Sequence, residues 1–318
     1  MSEPIIKTVG LKKYFEVGKG KTLHAVDDVN FEIYKGQTLG VVGESGCGKT
    51  TLGRTILGLV PATGGEVWYN GQNIINCSKK EQRELRKDLQ IIFQDPYSSI
   101  NPRHSVGSII GEPMLVNGII KNKKDREDRV KELMEIVGLA PRLYNAYPHE
   151  LDGGRRQRIG VARALAVNPK FIVCDEPVSA LDVSIQAQIL NLLMDLQDKM
   201  DLTYMFITHD LSVVKHISTE IAVMYLGQCV EKAPANELFR NPLHPYTKAL
   251  LSAIPIPSAR AREKKPEIIK GELTSPINPK PGCRFAGRCP YATPACTEAN
   301  IPLKDVGNGH YVACMCCR

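Results

Sequence analysis

The sequence predicts an α/β fold, and three observations carry that reading. Short continuous apolar runs suit strands covered on both faces, amphipathic helical stretches fall among them, and one apolar run ends in a glycine-rich turn that opens a helix. That last order of strand, loop and helix is the setting a phosphate-binding loop requires. The chain has 318 residues, enough for one large domain with attachments or two medium ones. At 43% hydrophobic and 24% charged it lies near ordinary globular usage, which excludes wholesale disorder, collagen and coiled coil.

Val29, Phe31 and Ile33 alternate with polar residues, the period of a half-buried strand, and Val67 and Tyr69 begin a second alternation. Leu39 to Val42 is a short apolar run, and Thr50 to Leu59 reads as the helix after the turn. Val130, Leu133, Met134 and Val137 fall at helical spacing, with Gly138 placed to end the helix. Ile185, Ile189, Leu192, Leu193 and Leu196 mark another amphipathic helix. Phe171 to Cys174, Tyr204 to Ile207 and Ile221 to Leu226 are the remaining apolar runs, and no internal repeat is present.

The 41 basic and 34 acidic residues leave a net charge of +7. That permits a negatively charged partner but is far from the concentrated basic field of a nucleic-acid binder, so no nucleic-acid partner is expected. No run reaches 18 apolar residues, which predicts no unaided membrane crossing. The start at Ser2, Glu3 and Pro4 lacks a basic-then-apolar secretory pattern and predicts a cytoplasmic protein. Of ten cysteines, six (Cys283, Cys289, Cys296, Cys314, Cys316 and Cys317) lie in the last 36 residues. Under reducing conditions such a cluster points to metal binding before disulfides. Residues 234–302 also hold 12 of the 21 prolines, followed through by a basic stretch at Arg260, Arg262, Lys264 and Lys265, so the C-terminal quarter is a different kind of polypeptide.

Gly43-Glu44-Ser45-Gly46-Cys47-Gly48-Lys49-Thr50 matches the eight-residue phosphate-loop pattern in full. Its glycines let backbone N–H groups turn inward, and the helix after it presents its positive end to phosphates. Lys49 is expected at the β- and γ-phosphates, Thr50 in a Mg²⁺ shell and Thr51 at the α-phosphate. Phe171 to Cys174 leads into Asp175 and Glu176: the first carboxylate suits Mg²⁺ held through water, the second suits polarising an attacking water.

With these residues in view, the chain resembles the ATP-binding subunits of ABC transporters from about Ile5 to its end. Phe93-Gln94-Asp95-Pro96 looks like the Q-loop, Leu151-Asp152-Gly153-Gly154-Arg155 stands at the signature position, Ser179-Ala180-Leu181-Asp182 looks like the D-loop, and Ile207-Thr208-His209-Asp210 resembles the switch region. Phe15, beside Tyr14, stands where the family stacks an aromatic ring on adenine. The resemblance implies a P-loop NTPase (RecA-like) core with an antiparallel β subdomain, an α-helical subdomain and a cysteine-rich, loop-rich C-terminal extension. It implies a nucleotide-binding domain over residues 1–240, its helical subdomain over about 86–165, and the extension over 241–318. It also implies ATP hydrolysis with Glu176 as general base, Gln94 sensing Mg²⁺ and water, His209 at the γ-phosphate and Lys49 countering developing charge. Two cassettes pack head to tail in this family, each ATP lying between one phosphate loop and the other's signature.

The signature departs from the family pattern, with Asp152 for serine and Arg155 for glutamine. An ionised aspartate accepts hydrogen bonds and cannot donate one to a γ-phosphate. At 4 Å and an effective dielectric of about 20, its repulsion of a unit negative charge is roughly 4 kcal/mol. Two readings stand: Asp152 turned away to cap the following helix, or an asymmetric assembly in which a sister ATPase supplies the intact signature, favouring a heterodimer.

Asn241-Pro242-Leu243-His244-Pro245-Tyr246-Thr247-Lys248, with the later cysteines, resembles the extension of dipeptide and oligopeptide importers, the peptide/nickel uptake group. That implies two permease subunits, an external substrate-binding protein acting indirectly, and a peripheral place on the cytoplasmic face of the membrane. The spacing Cys283-x5-Cys289-x6-Cys296-x17-Cys314 lacks the close pairs of structural zinc sites, while the resemblance implies a 4Fe–4S cluster on four thiolates. Zinc and uncoordinated thiols are the alternatives, and Cys314, Cys316 and Cys317 compete as fourth ligand, with Cys314 assigned. The competing functions are a soluble ABC ATPase of translation or DNA repair, whose relatives carry twin cassettes or a long coiled-coil insertion absent here, an uptake ATPase for nickel or another small solute, and an iron–sulfur regulatory subunit whose cassette only binds ATP.

Overall fold

The computed structural model describes residues 3–254 and 275–316. Arg260, Arg262, Lys264, Lys265 and Cys317 lie outside the described residues. The chain forms two compact units, one of Met1–Ile75 with Thr208–Arg318, the other of Asn76–Ile207.

The first part of the first unit contains β1 (Ile6–Glu16), β2 (Thr22–Ile33), β3 (Thr38–Val42), α1 (Lys49–Ile56), β4 (Gly64–Tyr69) and β5 (Gln72–Asn73). An antiparallel sheet runs β2-β1-β4-β5. Val29, Phe31 and Ile33 are buried in alternation on β2, and Val67 and Tyr69 on β4, as their period predicts. β1 escaped that period because its pairing with β2 slips between Thr8 and Leu11 and again before Tyr14, and Gly10 turns the chain at φ 54°.

The second unit contains α2 (Lys79–Asp88), β6 (Leu89–Ile92), α3 (Val106–Val116), α4 (Lys123–Ile136), α5 (Gly153–Leu165), β7 (Phe171–Asp175), α6 (Val183–Met200) and β8 (Thr203–Ile207). β6, β7 and β8 pair in parallel, and every residue of β7 and β8 is buried, which is why their sequences read as unbroken apolar runs. α4 buries Val130, Leu133 and Met134, and Gly138 follows it at φ 71°, the left-handed conformation that ends helices.

The chain then returns to the first unit with α7 (Leu211–Ile217), β9 (Glu220–Tyr225), β10 (Gln228–Pro234), α8 (Ala235–Arg240), α9 (Pro245–Ser252), β11 (Lys304–Asp305) and β12 (Tyr311–Val312). β9 is parallel to β3 and antiparallel to β10, and the last two strands continue from β10 through β12 to β11. Here the extension joins the sheet instead of trailing from it. Glu231 on β10 is wholly buried and accepts the N–H groups of Leu243 and His244 at 2.7 and 3.0 Å, while His310 Nε2 lies 2.7 Å away. Residues 276–278 also run along β2, with His24 N–H donating to Pro276 and Asn278 N–H to Thr22. Among the described residues, no helix is long and apolar enough to cross a membrane.

Candidate functional site: a phosphate loop and its partner motifs

In the first unit, β3 ends at Val42 and the loop Gly43 to Gly48 leads into α1, the order the sequence predicts. Two of its glycines are obligatory. Gly48 sits at φ 103°, where a Cβ would come within 1.9 Å of the Ala25 carbonyl oxygen, and Gly43 at φ 153°, where one would meet the Met224 oxygen at 2.2 Å. Gly48 is also the N-cap of α1 and offers no side chain, so no side-chain cap closes that helix start. Lys49 is only 5% exposed, and its Nζ donates to the carbonyls of Gly43 at 2.8 Å and Glu44 at 3.0 Å. Its ammonium therefore lies inside the loop, in the place where a triphosphate's charge would be met. Cys47 is buried beside it, and burial pushes its thiol above the ordinary range, so it is a packing residue and not a nucleophile. Ser45, Gly46 and Thr51 take their expected places in the loop and the first turn of α1.

Tyr14 and Phe15 part company at the end of β1. Tyr14 stacks on His24 with centroids 3.9 Å apart and donates its hydroxyl to Asp27, while Phe15 is 37% exposed with only Lys13 Nζ over its ring at 4.7 Å. Of the two rings, Phe15 is the more exposed. His209 follows β8 and is exposed at the head of α7, whose N terminus is capped by Asp210.

The second unit gathers the acidic and glutamine motifs. Asp175 ends β7 and is buried. A buried carboxylate at a strand end is an oxygen donor of the kind Mg²⁺ takes, so it fits the metal expected with a nucleotide. Glu176 follows at φ 46°, a conformation costly for a residue with a side chain, held by its N–H on Ile207 at 2.9 Å. Gln94, two residues past β6, donates from Nε2 to Glu176 Oε2 at 2.9 Å. Residues 82 positions apart meet because β6 and β7 are adjacent parallel strands ending together. Ser179 donates to the Glu176 carbonyl at 3.1 Å, and Ala180, Leu181 and Asp182 lead into α6.

At the signature position the helix-cap reading is the one found. Asp152 is the N-cap of α5: its Oδ1 accepts the Arg155 N–H at 2.8 Å, and Oδ2 lies 3.4 Å from Arg155 Nε. Gly153 opens the helix, and a Cβ on Gly154 would meet Ile185 at 2.7 Å.

Two of the clustered cysteines are directly linked through the backbone. Cys283 and Cys296 are joined by a backbone hydrogen bond of 2.7 Å, and the Cys283 thiol, pushed up to about 11 chiefly by burial, also feels Cys289, Cys296 and Cys314. Cys316 is exposed and donates to the Tyr291 carbonyl at 3.3 Å. The donor chemistry suits thiolate ligation, yet among the described residues no three His, Cys, Asp or Glu side chains form a group that could hold a metal ion.

Two residues the sequence did not single out stand at the loop. Arg288 pairs with Glu44, and Arg284 pairs with Asp27 and donates to the Leu226 carbonyl. Burial works to raise Asp27, but its hydrogen bonds and Arg284 outweigh it and hold the carboxyl below its usual range. The available signal was that each arginine directly adjoins a clustered cysteine, Arg284 after Cys283 and Arg288 before Cys289.

A loop of this geometry on an α/β core defines a P-loop nucleotide-binding fold, and the comparisons narrow it to an ATP-binding cassette. A family model described as ABC transporter matches residues 26–179, and one described as oligopeptide/dipeptide transporter, C-terminal region, matches residues 230–296. The chain is 53% identical to the putative oligopeptide transport ATP-binding protein YkfD of Bacillus subtilis, covering 98% of this chain and 95% of that one. It is 52% identical to the oligopeptide transport ATP-binding protein OppF of Salmonella typhimurium, over 98% and 96%, and 49% identical to the dipeptide transport ATP-binding protein DppF of Haemophilus influenzae, over 98% and 96%. Among solved structures it is similar to cbiO1 of Clostridium perfringens, part of the ABC transporter complex cbiONQ, with a TM-score of 0.67 and 25% identity over 76% of this chain and 92% of that one. The dimeric cassette MJ0796 bound to ADP and Pi gives 0.66 and 27%, over 72% and 98%. The chain belongs to the oligopeptide and dipeptide transport ATP-binding proteins, and it is an ABC ATPase.

Proposed function

We propose that this chain is the ATP-hydrolysing subunit that powers uptake of dipeptides and oligopeptides, bound peripherally to the cytoplasmic side of two permeases and fed by an external substrate-binding protein. What carries the reading is one observation: a phosphate loop open at the head of α1 and an extension matching the oligopeptide/dipeptide transporter C-terminal region occur in one chain. Nickel or another small solute is the alternative cargo. We assign a nucleotide-binding domain to 1–240, its helical subdomain to about 86–165 and the extension to 241–318, supported by the two family models that match 26–179 and 230–296.

The roles divide by chemistry. Phe15 stacks on adenine, and the loop with Lys49, Thr50 and Thr51 takes the phosphates. Thr50, Gln94 and Asp175 would hold Mg²⁺, which would supply charge neutralisation at the nucleotide's phosphates. Glu176 takes a proton from water as its oxygen bonds to γ-phosphorus and the bond to the ADP oxygen breaks, and Gln94 orients Glu176 through their hydrogen bond. His209 donates to the γ-phosphate and Lys49 counters the charge. Ser179 to Asp182 form the D-loop against the second cassette. Asp152 supports a sister ATPase as that second cassette, since a carboxylate at the signature position cannot donate to a γ-phosphate where the family's serine can. Cys283, Cys289, Cys296 and Cys314 are assigned to a 4Fe–4S cluster, with zinc as alternative; the thiolate chemistry of the four residues supports it, and no step of hydrolysis runs through it.

Anaerobic purification of the tagged chain from native membranes, with iron and sulfide quantified, tests this reading. Two multi-span permeases and a second ATPase with serine in its signature are expected. Ribosomes, nucleic-acid enzymes or a self-dimer alone would overturn it.

A further inference from the structure

Glu44 is the second residue of the phosphate loop, so its carboxylate stands in a segment assigned to a polyanion. It is gripped twice, both times by the C-terminal extension. Arg288 meets it with two prongs, Nη1 to Oε2 at 2.9 Å and Nη2 to Oε1 at 3.2 Å, across 244 residues of sequence. The Tyr246 hydroxyl accepts the Glu44 N–H at 2.9 Å. Arg288 is held in turn by the Tyr225 hydroxyl at 3.2 Å, and its side chain is 9% exposed. Its Nε is buried with no hydrogen-bond partner among the described residues, a cost borne while both outer nitrogens face Glu44.

The base under this grip is rigid. Phe285 is 1% exposed and packs edge-on to Tyr225 at 5.3 Å and tilted against Tyr246 at 5.4 Å. Buried Glu231 fixes the start of α9, the helix that carries Tyr246. On the loop side, the Glu44 carbonyl accepts from Lys49 Nζ. One residue therefore links the extension to the lysine assigned to the phosphates.

We propose that Arg288 is a positioning residue for ATP binding: by pairing with Glu44 it cancels a negative charge in the phosphate loop and fixes the backbone that Lys49 is bonded to. The extension then forms part of the nucleotide site. This rests on the reading of Gly43 to Thr50 as the ATP loop. A planar two-pronged cation suits the task, and a lysine supplies only one point of contact.

The full-length chain tests it by calorimetric titration with MgATP and by ATPase KM and kcat. Arg288→Ala should weaken ATP binding and raise KM about tenfold with a smaller change in kcat, as expected for loss of a charge-assisted pair. Arg288→Lys should recover part of that loss. Glu44→Gln added to Arg288→Ala should bind ATP no more weakly than Arg288→Ala alone, because the arginine acts through Glu44. Should Arg288→Ala fail to fold, Tyr246→Phe, which keeps the ring and removes the acceptor of the Glu44 N–H, should still weaken ATP binding. Unchanged KM in the folded arginine variant, an additive double variant, or unchanged binding in Tyr246→Phe would each overturn the proposal. Lys49→Ala separates the two levels: ATP binding undiminished in that variant rejects the loop reading itself, whereas its loss beside a silent Arg288→Ala rejects only this inference.

Discussion

At the phosphate loop, α1 begins on Gly48 with no side-chain cap, whereas at the signature position α5 begins on Asp152, whose carboxylate takes the Arg155 N–H. Glycines flank both helix starts, before α1 in its loop and within the first turn of α5, and both present N–H groups and the positive end of a helix dipole. One carries no side-chain cap. The other satisfies them from its own side chain and adds an ion pair to Arg155. An anion site at a helix start thus depends as much on what the N-cap residue lacks as on the glycines around it.

The sharpest way to break this contrast is Lys49→Ala. With the ammonium gone from the open helix start, ATP turnover should fall by about 10²–10³-fold, the scale for losing one preorganised charge partner. A phosphate-release assay on the assembled transporter reads it, and retained turnover would mean that the glycine turn alone does the binding.

Next in size is the support beneath the open loop. His244 caps α9 through Nδ1, which accepts the Tyr246 N–H at 3.1 Å, and it is faced by the Phe285 ring and by buried Glu231, which accepts its own N–H. Burial lowers its pKa from 6.5 to about 4. Above pH 6.5 neither folded nor unfolded chain carries the proton, so the stability is complete. Between 6.5 and 4 the unfolded chain binds a proton that the folded one refuses, and stability falls with pH by up to about 3 kcal/mol. Urea midpoints from pH 7.5 to 5 should drop more steeply for the wild type than for His244→Asn, which keeps a cap acceptor and cannot titrate. Parallel slopes would refute this.

At the closed helix start, Asp152→Ser should raise turnover of the assembled pair severalfold to about tenfold, since a hydroxyl can donate where a carboxylate only repels. Serine is also a good N-cap, so thermal stability should barely change. Asp152→Ala gives the smallest effect, losing about 1 kcal/mol of stability with its cap. An unchanged ATPase rate in Asp152→Ser would remove the signature from the argument for a sister ATPase.

The two regions also differ in how far the sequence discloses them. The loop is legible because its residues are contiguous and each does its work through backbone conformation or one side chain at fixed spacing. Buried strands β7 and β8 are legible for the same local reason. Gln94 and Glu176 were each recognisable, but their hydrogen bond depends on two parallel strands ending side by side. For Asp152 the sequence allowed a helix cap and an asymmetric assembly with a sister ATPase, and the cap depends on a rotamer that the sequence does not encode locally. Arg288 and Arg284 were signalled only by their place beside clustered cysteines, because an ion pair between residues more than 200 positions apart leaves no periodicity. β1 went unread because register slips erase the alternation that marks a strand.

Buried Glu231 has a consequence for where this protein can be divided. Its carboxylate accepts from Leu243 and His244 and meets His310, all three supplied by the extension. A chain cut after Arg240 would keep the acid in its sheet while discarding every one of those partners, leaving a charge in the interior with nothing to answer it. Grafting the nucleotide-binding portion onto another tail meets the same obstacle unless position 231 is redesigned along with the junction. The border between cassette and tail is therefore a place in the sequence more than a seam in the molecule.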